Sequence, residues 1–335
     1  MTPTPIPRVI RPELPTTTSS TPLAVQTLDE VLATALAFYE QGLGNGETTH
    51  WPCLDGYWTW LKKEITAITG YPNHGKSRWI HAVMLLKAAF DGWRFAVYVP
   101  ENEDDFFVEM AQMLVGRTAN LKFAHSRMSL DELTTAIAWL HEHFVVITAP
   151  DGATPKQLLA ECARLHADRP LDGVLFDPWN QLMHDFQARE DLYLSEQFSL
   201  LKRFAIKHDL ALVVTAHPAG QVKDKAGTLV RPDAYSISGG KMWNNKFDNV
   251  LAVFRPDFPA PEVELWIHKI KKRGRVGQPG MLELTYALSS SRYFPRYGAR
   301  AHPLEALSFH APGEATARYD TPQTLTASTF DDVPF

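Results

Sequence analysis

Residues 70–77 read Gly-Tyr-Pro-Asn-His-Gly-Lys-Ser, a phosphate-binding pattern: glycines at fixed offsets followed by lysine and a hydroxyl residue. The glycines let successive backbone N–H groups curl around phosphate oxygens at the start of a helix, where the helix dipole favours negative charge. Gly70, Asn73, His74 and Gly75 would form the cradle. Lys76 would reach the β- and γ-phosphates, and the Ser77 hydroxyl would complete the shell of a Mg²⁺ ion. A plain glycine turn would leave the lysine and the serine unexplained. ATP and Mg²⁺ are therefore the expected cofactors.

Hydrolysis needs a further carboxylate beside the metal and a group to orient water. Gly173–Phe176 is an apolar run that ends in Asp177, which suits the second metal-side position. Glu101 follows another apolar run and is the candidate general base. Glu103, Asp104 and Asp105 fit the acidic first turn of a following helix. His217 closes a third run, where a donor would sense the γ-phosphate; a loop histidine without a role is the alternative. Lys269, Lys271, Lys272, Arg273 and Arg275 form a dense basic cluster in a chain whose net charge is −5. It reads either as a phosphate-directed patch or as a solvated strand and turn.

These side chains need a scaffold that delivers them to one edge. Short apolar runs at Ile65–Thr69, Phe95–Val99, Phe144–Ile147, Val174–Phe176, Ala211–Thr215 and Val250–Phe254 alternate with helical patterns. That alternation predicts an α/β fold with a mainly parallel sheet flanked by helices. Val263–Ile267 and Met281–Tyr286 read as late strands. Capping boxes at Thr27–Glu30 and Ser129–Glu132, and proline after Thr154, mark three helix starts. The helix after Thr27 is amphipathic, and it packs either on its own domain or on a neighbouring subunit.

Composition narrows the class. With 45% hydrophobic and 21% charged residues the chain is globular overall. No apolar run is long enough to span a membrane and no secretory h-region opens the chain, so a cytoplasmic protein with no membrane partner is expected. Two cysteines cannot build a disulfide framework or a zinc ribbon. The expected organisation is a flexible Pro/Thr-rich arm over 1–25, a linker or oligomerisation helix within 26–50, the catalytic domain over 51–300 and a polar tail over 313–335.

The order of motifs is recognisable: GYPNHGKS, PEN at 100–102, FDPWN at 176–180, AHP at 216–218, SISGGKMWNNKFDN at 236–249 and KIKKRGRVGQPG at 269–280. Together they resemble the RecA-like P-loop helicase domain of the DnaB, Twinkle and phage primase-helicase family, over roughly 51–293. The resemblance implies a replicative helicase that assembles as a homo-oligomeric, hexameric ring, encircles single-stranded DNA and translocates 5′ to 3′ with ATP. It implies that Lys271 and Arg273 reach the γ-phosphate bound by a neighbouring subunit. It also places DNA contacts on Lys223 and Lys225 within 220–232, and on Lys241, Asn244 and Asn245 within 236–249. Such loops suit tracking of phosphates without base readout.

Two features depart from that family. The short segment before the core leads us to expect no primase domain, so primase or a loader would be separate partners. The last residues, Phe330 to Phe335, resemble the acidic tip of bacterial single-stranded-DNA-binding proteins, with Asp331, Asp332, Pro334 and Phe335 as partner-binding residues; a featureless acidic tail is the alternative. Other function classes compatible with the motifs are a RecA-like strand-handling or helicase-loading ATPase, and a non-catalytic replication adaptor.

Overall fold

The computed structural model describes residues 24–42, 44–184, 189–257, 260–298 and 301–307. The arm before residue 24, the polar tail and its tip at Asp331, Asp332, Pro334 and Phe335 lie outside them. The chain divides into two compact units, with the division between Gly44 and Asn45.

In the first unit, helix α1 spans Leu28–Gln41. The Thr27 hydroxyl accepts the Glu30 N–H at 3.3 Å, and the Glu30 carboxylate accepts the Thr27 N–H at 2.8 Å. Both bonds satisfy amide donors that a helix start leaves without partners. Leu28, Leu32, Leu36 and Tyr39 are spaced to share one side of the helix, and all four are exposed.

The second unit is built on one nine-stranded sheet in the order β3-β2-β4-β5-β1-β6-β7-β8-β9. The strands are β1 (Ile65–Thr69), β2 (Phe95–Tyr98), β3 (Phe144–Val146), β4 (Gly173–Phe176), β5 (Ala211–Ala216), β6 (Asn249–Phe254), β7 (Glu262–Ile270), β8 (Gly280–Ala287) and β9 (Arg292–Pro295). β1 to β6 pair in parallel and β7 to β9 extend the sheet antiparallel. The helices are α2 (Pro52–Asp55), α3 (Lys76–Asp91), α4 (Phe106–Val115), α5 (Leu130–His143), α6 (Pro155–Asp168), α7 (Glu190–Lys207) and α8 (Gly240–Lys246).

The parallel strands read as unbroken apolar runs because both faces of the sheet are covered. Phe95 and Val97 of β2 join Trp79, Met84, Met110 and Leu140 in one core. Ala96 and Tyr98, pointing the other way, join Leu158, Phe198, Leu201 and Trp243 in a second. The period of two thus divides each strand between two layers of helices. No helix among the described residues is long and apolar enough to cross a membrane.

Sequence reasoning missed β9. It opens on Arg292, only 3% exposed, whose guanidinium donates to the carbonyls of Met113 at 2.6 Å and Leu114 at 2.8 Å near the end of α4. A buried arginine satisfied by a distant helix end has no local signature, so the strand it begins is invisible to periodicity.

Candidate nucleotide site

The lateral order β2-β4-β5-β1 brings four chain segments out side by side at the carboxyl edge of the sheet. Tyr98 pairs with Phe176, Phe176 with Val214, and Thr215 with Ile68. Glu101, Asp177, His217 and the loop 70–75 therefore emerge next to one another. In open α/β sheets this edge, at the point where connections diverge to opposite sides, is where ligands lodge.

The loop itself is tightly held. Gly75 takes φ +88, a conformation that L side chains rarely adopt, and a Cβ there would lie 2.6 Å from the Tyr293 hydroxyl. That hydroxyl donates to the Gly75 carbonyl at 3.1 Å, so β9 buttresses the cradle. The ring of His74 is turned toward β6: its Nδ1 accepts the Arg255 N–H at 2.9 Å, and it packs against Tyr71 and Phe254. Burial, with Arg255 and Lys76 nearby, pushes the His74 pKa down to about 4. His74 is thus a neutral clamp joining the loop to β6.

Lys76 begins α3 and is 5% exposed; its Nζ lies 3.3 Å from His217 Nε2. Burial lowers its pKa, while Asp177 and Glu101 pull in the opposite direction. Asp177 is 3% exposed, accepts a bond from the Thr215 hydroxyl on Oδ1, and has Oδ2 3.7 Å from His81 Nε2. His81 is fully enclosed in α3, and burial outweighs the attraction of Asp177 to keep it neutral.

Glu101 Oε1 accepts from Gln181 Nε2 at 3.0 Å and stands 3.7 Å from His217 Nε2. Its pKa is held down to about 2, chiefly by His217, with Gln181 and Lys76 adding to the effect against burial. Asn180 Oδ1 accepts the His217 N–H at 2.8 Å. One short turn after β4 (Trp179–Gln181) therefore positions both Glu101 and His217. Gln181, Thr215 and His81 were not singled out from sequence, and Asn180 was quoted only as part of a motif; their roles arise from side chains meeting across strands.

These residues fit Mg·ATP. Lys76 supplies a buried cation, and His217 Nδ1 is a buried polar atom without a hydrogen-bond partner. Ser77 and Asp177 would share the Mg²⁺ shell. Among the described residues no three His, Cys, Asp or Glu side chains gather as a metal cage. Ser77 and Asp177 as a two-residue ligand set suit Mg²⁺, which usually takes one or two protein ligands together with phosphates and water.

Lys271 and Arg273 lie at the opposite, amino edge. Lys271 Nζ is 3.2 Å from Oδ1 of the buried Asp248, which precedes β6 and whose Oδ2 accepts the N–H of Ile65, the first residue of β1, at 3.0 Å. Lys272 pairs with Glu64 at 3.1 Å, and Lys269 donates to the Phe247 carbonyl at 2.7 Å at the end of α8. Arg273 stands exposed in the turn beyond β7. The five residues of β1 span about 16 Å. Within one chain, then, neither Lys271 nor Arg273 is brought to the cradle.

The segment after β5 carries the other expected contacts. Lys223 and Lys225 are exposed on a small hairpin, in which residue 223 bridges 229. On α8, Lys241, Asn244 and Asn245 share a face by their spacing, while Trp243 is buried.

No protein-family model matches the chain. It is 29% identical over 274 residues to the Twinkle homolog protein, chloroplastic/mitochondrial, of Arabidopsis thaliana. The match takes in 77% of this chain but spans only 38% of that relative's length. Among solved structures, an ATPase domain superposes with TM-score 0.67 at 16% identity, covering 81% of this chain and 99% of that one. A DnaB-like replicative helicase, solved in a study of its interactions with primase, superposes with TM-score 0.64 at 15% identity, covering 80% and 68%. Strand order and superposition agree: the second unit has a RecA-like α/β fold matching the domains of those solved structures, in a chain whose sequence is similar to a Twinkle homolog.

Proposed function

We propose that the chain is an ATP-dependent replicative DNA helicase, working as a hexameric ring that moves 5′ to 3′ along single-stranded DNA. The observation that carries this reading is the division of the catalytic groups between two edges of one sheet. Lys76, Glu101, Asp177 and His217 meet at the carboxyl edge, while Lys271 and Arg273 occupy the other. A basic pair that faces away from its own cradle has a target when a second copy brings its cradle up to that edge. The exposed apolar side of α1 fits the same assembly, as a helix that docks on a neighbouring subunit.

Bound Mg·ATP supplies the phosphoryl group and the ion that neutralises part of its charge. Lys76 binds the β- and γ-phosphates. Asp177, fixed by Thr215, and Ser77 would hold the metal ion. Glu101 aligns the attacking water and receives its proton on a carboxylate oxygen. His217 Nε2, already beside Lys76 and Glu101, contacts the γ-phosphate. Lys271 and Arg273 of the adjacent copy stabilise charge that develops on transfer. Lys223 and Lys225 on the hairpin, and Lys241, Asn244 and Asn245 on α8, track the DNA backbone; primase, a loader and proteins that bind the Phe335 tip are the expected partners.

Displacement of a labelled strand from a forked duplex with Mg·ATP tests the reading, and release of the strand is expected. Hydrolysis without release would indicate a strand-handling or loading ATPase. Nucleotide binding without turnover would indicate an adaptor.

The low pKa of Glu101 carries a second expectation. A carboxyl whose pKa is near 2 in the free protein is ionised throughout the working range. The profile of kcat/KM, which reports the free enzyme, should show no acid limb between pH 5 and 8 beyond the titration of the nucleotide itself. A further limb near pH 6 would assign the proton to a different group.

A further inference from the structure

Tyr71 sits inside the phosphate loop yet is bonded to the hairpin that carries Lys223 and Lys225. The hairpin closes through Asp224 N–H to the Thr228 carbonyl at 2.9 Å and Val230 N–H to the Val222 carbonyl at 2.7 Å. Residues 222 and 230 are thus a hydrogen-bonded pair of the kind that normally exchanges two such bonds. Here the second bond is replaced. The Tyr71 hydroxyl donates to the Val230 carbonyl at 2.9 Å and accepts the Val222 N–H at 3.3 Å. A phenol from the phosphate loop is therefore inserted into the rung at the hairpin's base.

The rest of Tyr71 is fixed just as firmly. It is 2% exposed, and its ring meets His74 edge-on with centroids 5.4 Å apart and Phe254 at 6.5 Å. His74 is in turn bonded to the Arg255 N–H. The hairpin beyond the rung is open: residues 223–228 are all exposed, and Gly227 turns the tip at φ +83. Its upstream leg descends from His217, beside Lys76, and its downstream leg ends on β7, where Arg231 lies 3.5 Å over the Trp266 ring and the Pro232 carbonyl receives a bond from His268. The base is thus held at three places, two of which belong to the phosphate site. One oxygen atom thus joins the loop to both strands of the hairpin.

The geometry points to Tyr71 as the coupling residue between nucleotide and DNA: its hydroxyl transmits phosphate occupancy at residues 70–77 to the 222–230 hairpin. This rests on the reading above that the loop holds ATP and the hairpin faces single-stranded DNA. Coupling between two ligands is reciprocal and is measured by the factor by which one alters the affinity for the other, commonly about 5- to 150-fold. Tyr71→Phe keeps the ring and its packing and removes the bridging oxygen.

The test measures anisotropy of a fluorescent oligothymidylate on the full chain, with and without a non-hydrolysable ATP analogue and Mg²⁺. Wild type should show at least about a five-fold change in oligonucleotide affinity on adding the analogue, and Tyr71→Phe less than about two-fold. Hydrogen exchange of the 222–230 amides, read without DNA, should respond to the analogue in wild type and not in Tyr71→Phe. A variant that retains the wild-type factor and the exchange response overturns the inference and leaves the helicase reading standing. A wild type that binds neither ligand overturns both, whereas one that binds both independently overturns the coupling alone.

Discussion

Lys76→Ala should lower DNA-stimulated ATP hydrolysis by about a thousand-fold, equivalent to about 4 kcal/mol of transition-state stabilisation. The size follows from where the ammonium sits. At 5% exposure it has little water to share its work, and it feels both Asp177 and Glu101, whose attraction partly offsets the burial that lowers its pKa. Removing it leaves two carboxylates facing the incoming phosphates without their cation. The cost therefore combines a lost contact with an uncompensated charge, and charge is expensive where the dielectric is low. Steady-state turnover with a long single-stranded oligonucleotide measures the effect. Turnover within about three-fold of wild type would remove Lys76 from the phosphate site and the remaining assignments with it.

Arg273→Ala should cost about as much turnover, on the order of a thousand-fold for a finger that acts across an interface, while nucleotide binding persists. The two variants differ in what a mixture reports. Arg273 is exposed and lies about 16 Å of strand away from its own cradle. On the proposed arrangement its absence should disable a neighbour's site and spare the one in its own chain. Titrating Arg273→Ala into wild type at constant total protein should depress activity faster than the wild-type fraction falls. A strictly proportional fall would mean that every site is complete within one chain, and the trans assignment would fail. Lys271 adds a complication that the same titration resolves. It is paired with Asp248, so Asp248→Asn should loosen the turn that carries Arg273.

Much of this architecture is written locally. The capping boxes at Thr27–Glu30 and Ser129–Glu132 are met residue for residue. The Thr154 start is met too, with Gln157 as an added cap partner. Six apolar runs become the six parallel strands, with ends displaced by no more than one residue. The phosphate loop, the acid closing β4, the glutamate after β2 and the histidine after β5 could also be named in advance, because a strand's carboxyl end is where such a sheet presents chemistry.

What could not be named in advance are the partners. Period and capping are short-range effects, decided within a few residues, and composition adds only the requirement that apolar faces be covered. Gln181 on Glu101, His81 behind Asp177, Tyr293 under Gly75 and Tyr71 within the 222–230 rung join residues 80, 96, 218 and about 150 positions apart. Such pairs exist only once long-range connections have assembled the whole sheet and its helices. The same holds for the basic cluster: its density is visible in the chain, but that Lys271 and Arg273 lie on the far edge from Lys76 follows from the antiparallel return of β7 along β6. Local propensity dictated which residues end strands, and long-range packing dictated which of those ends meet.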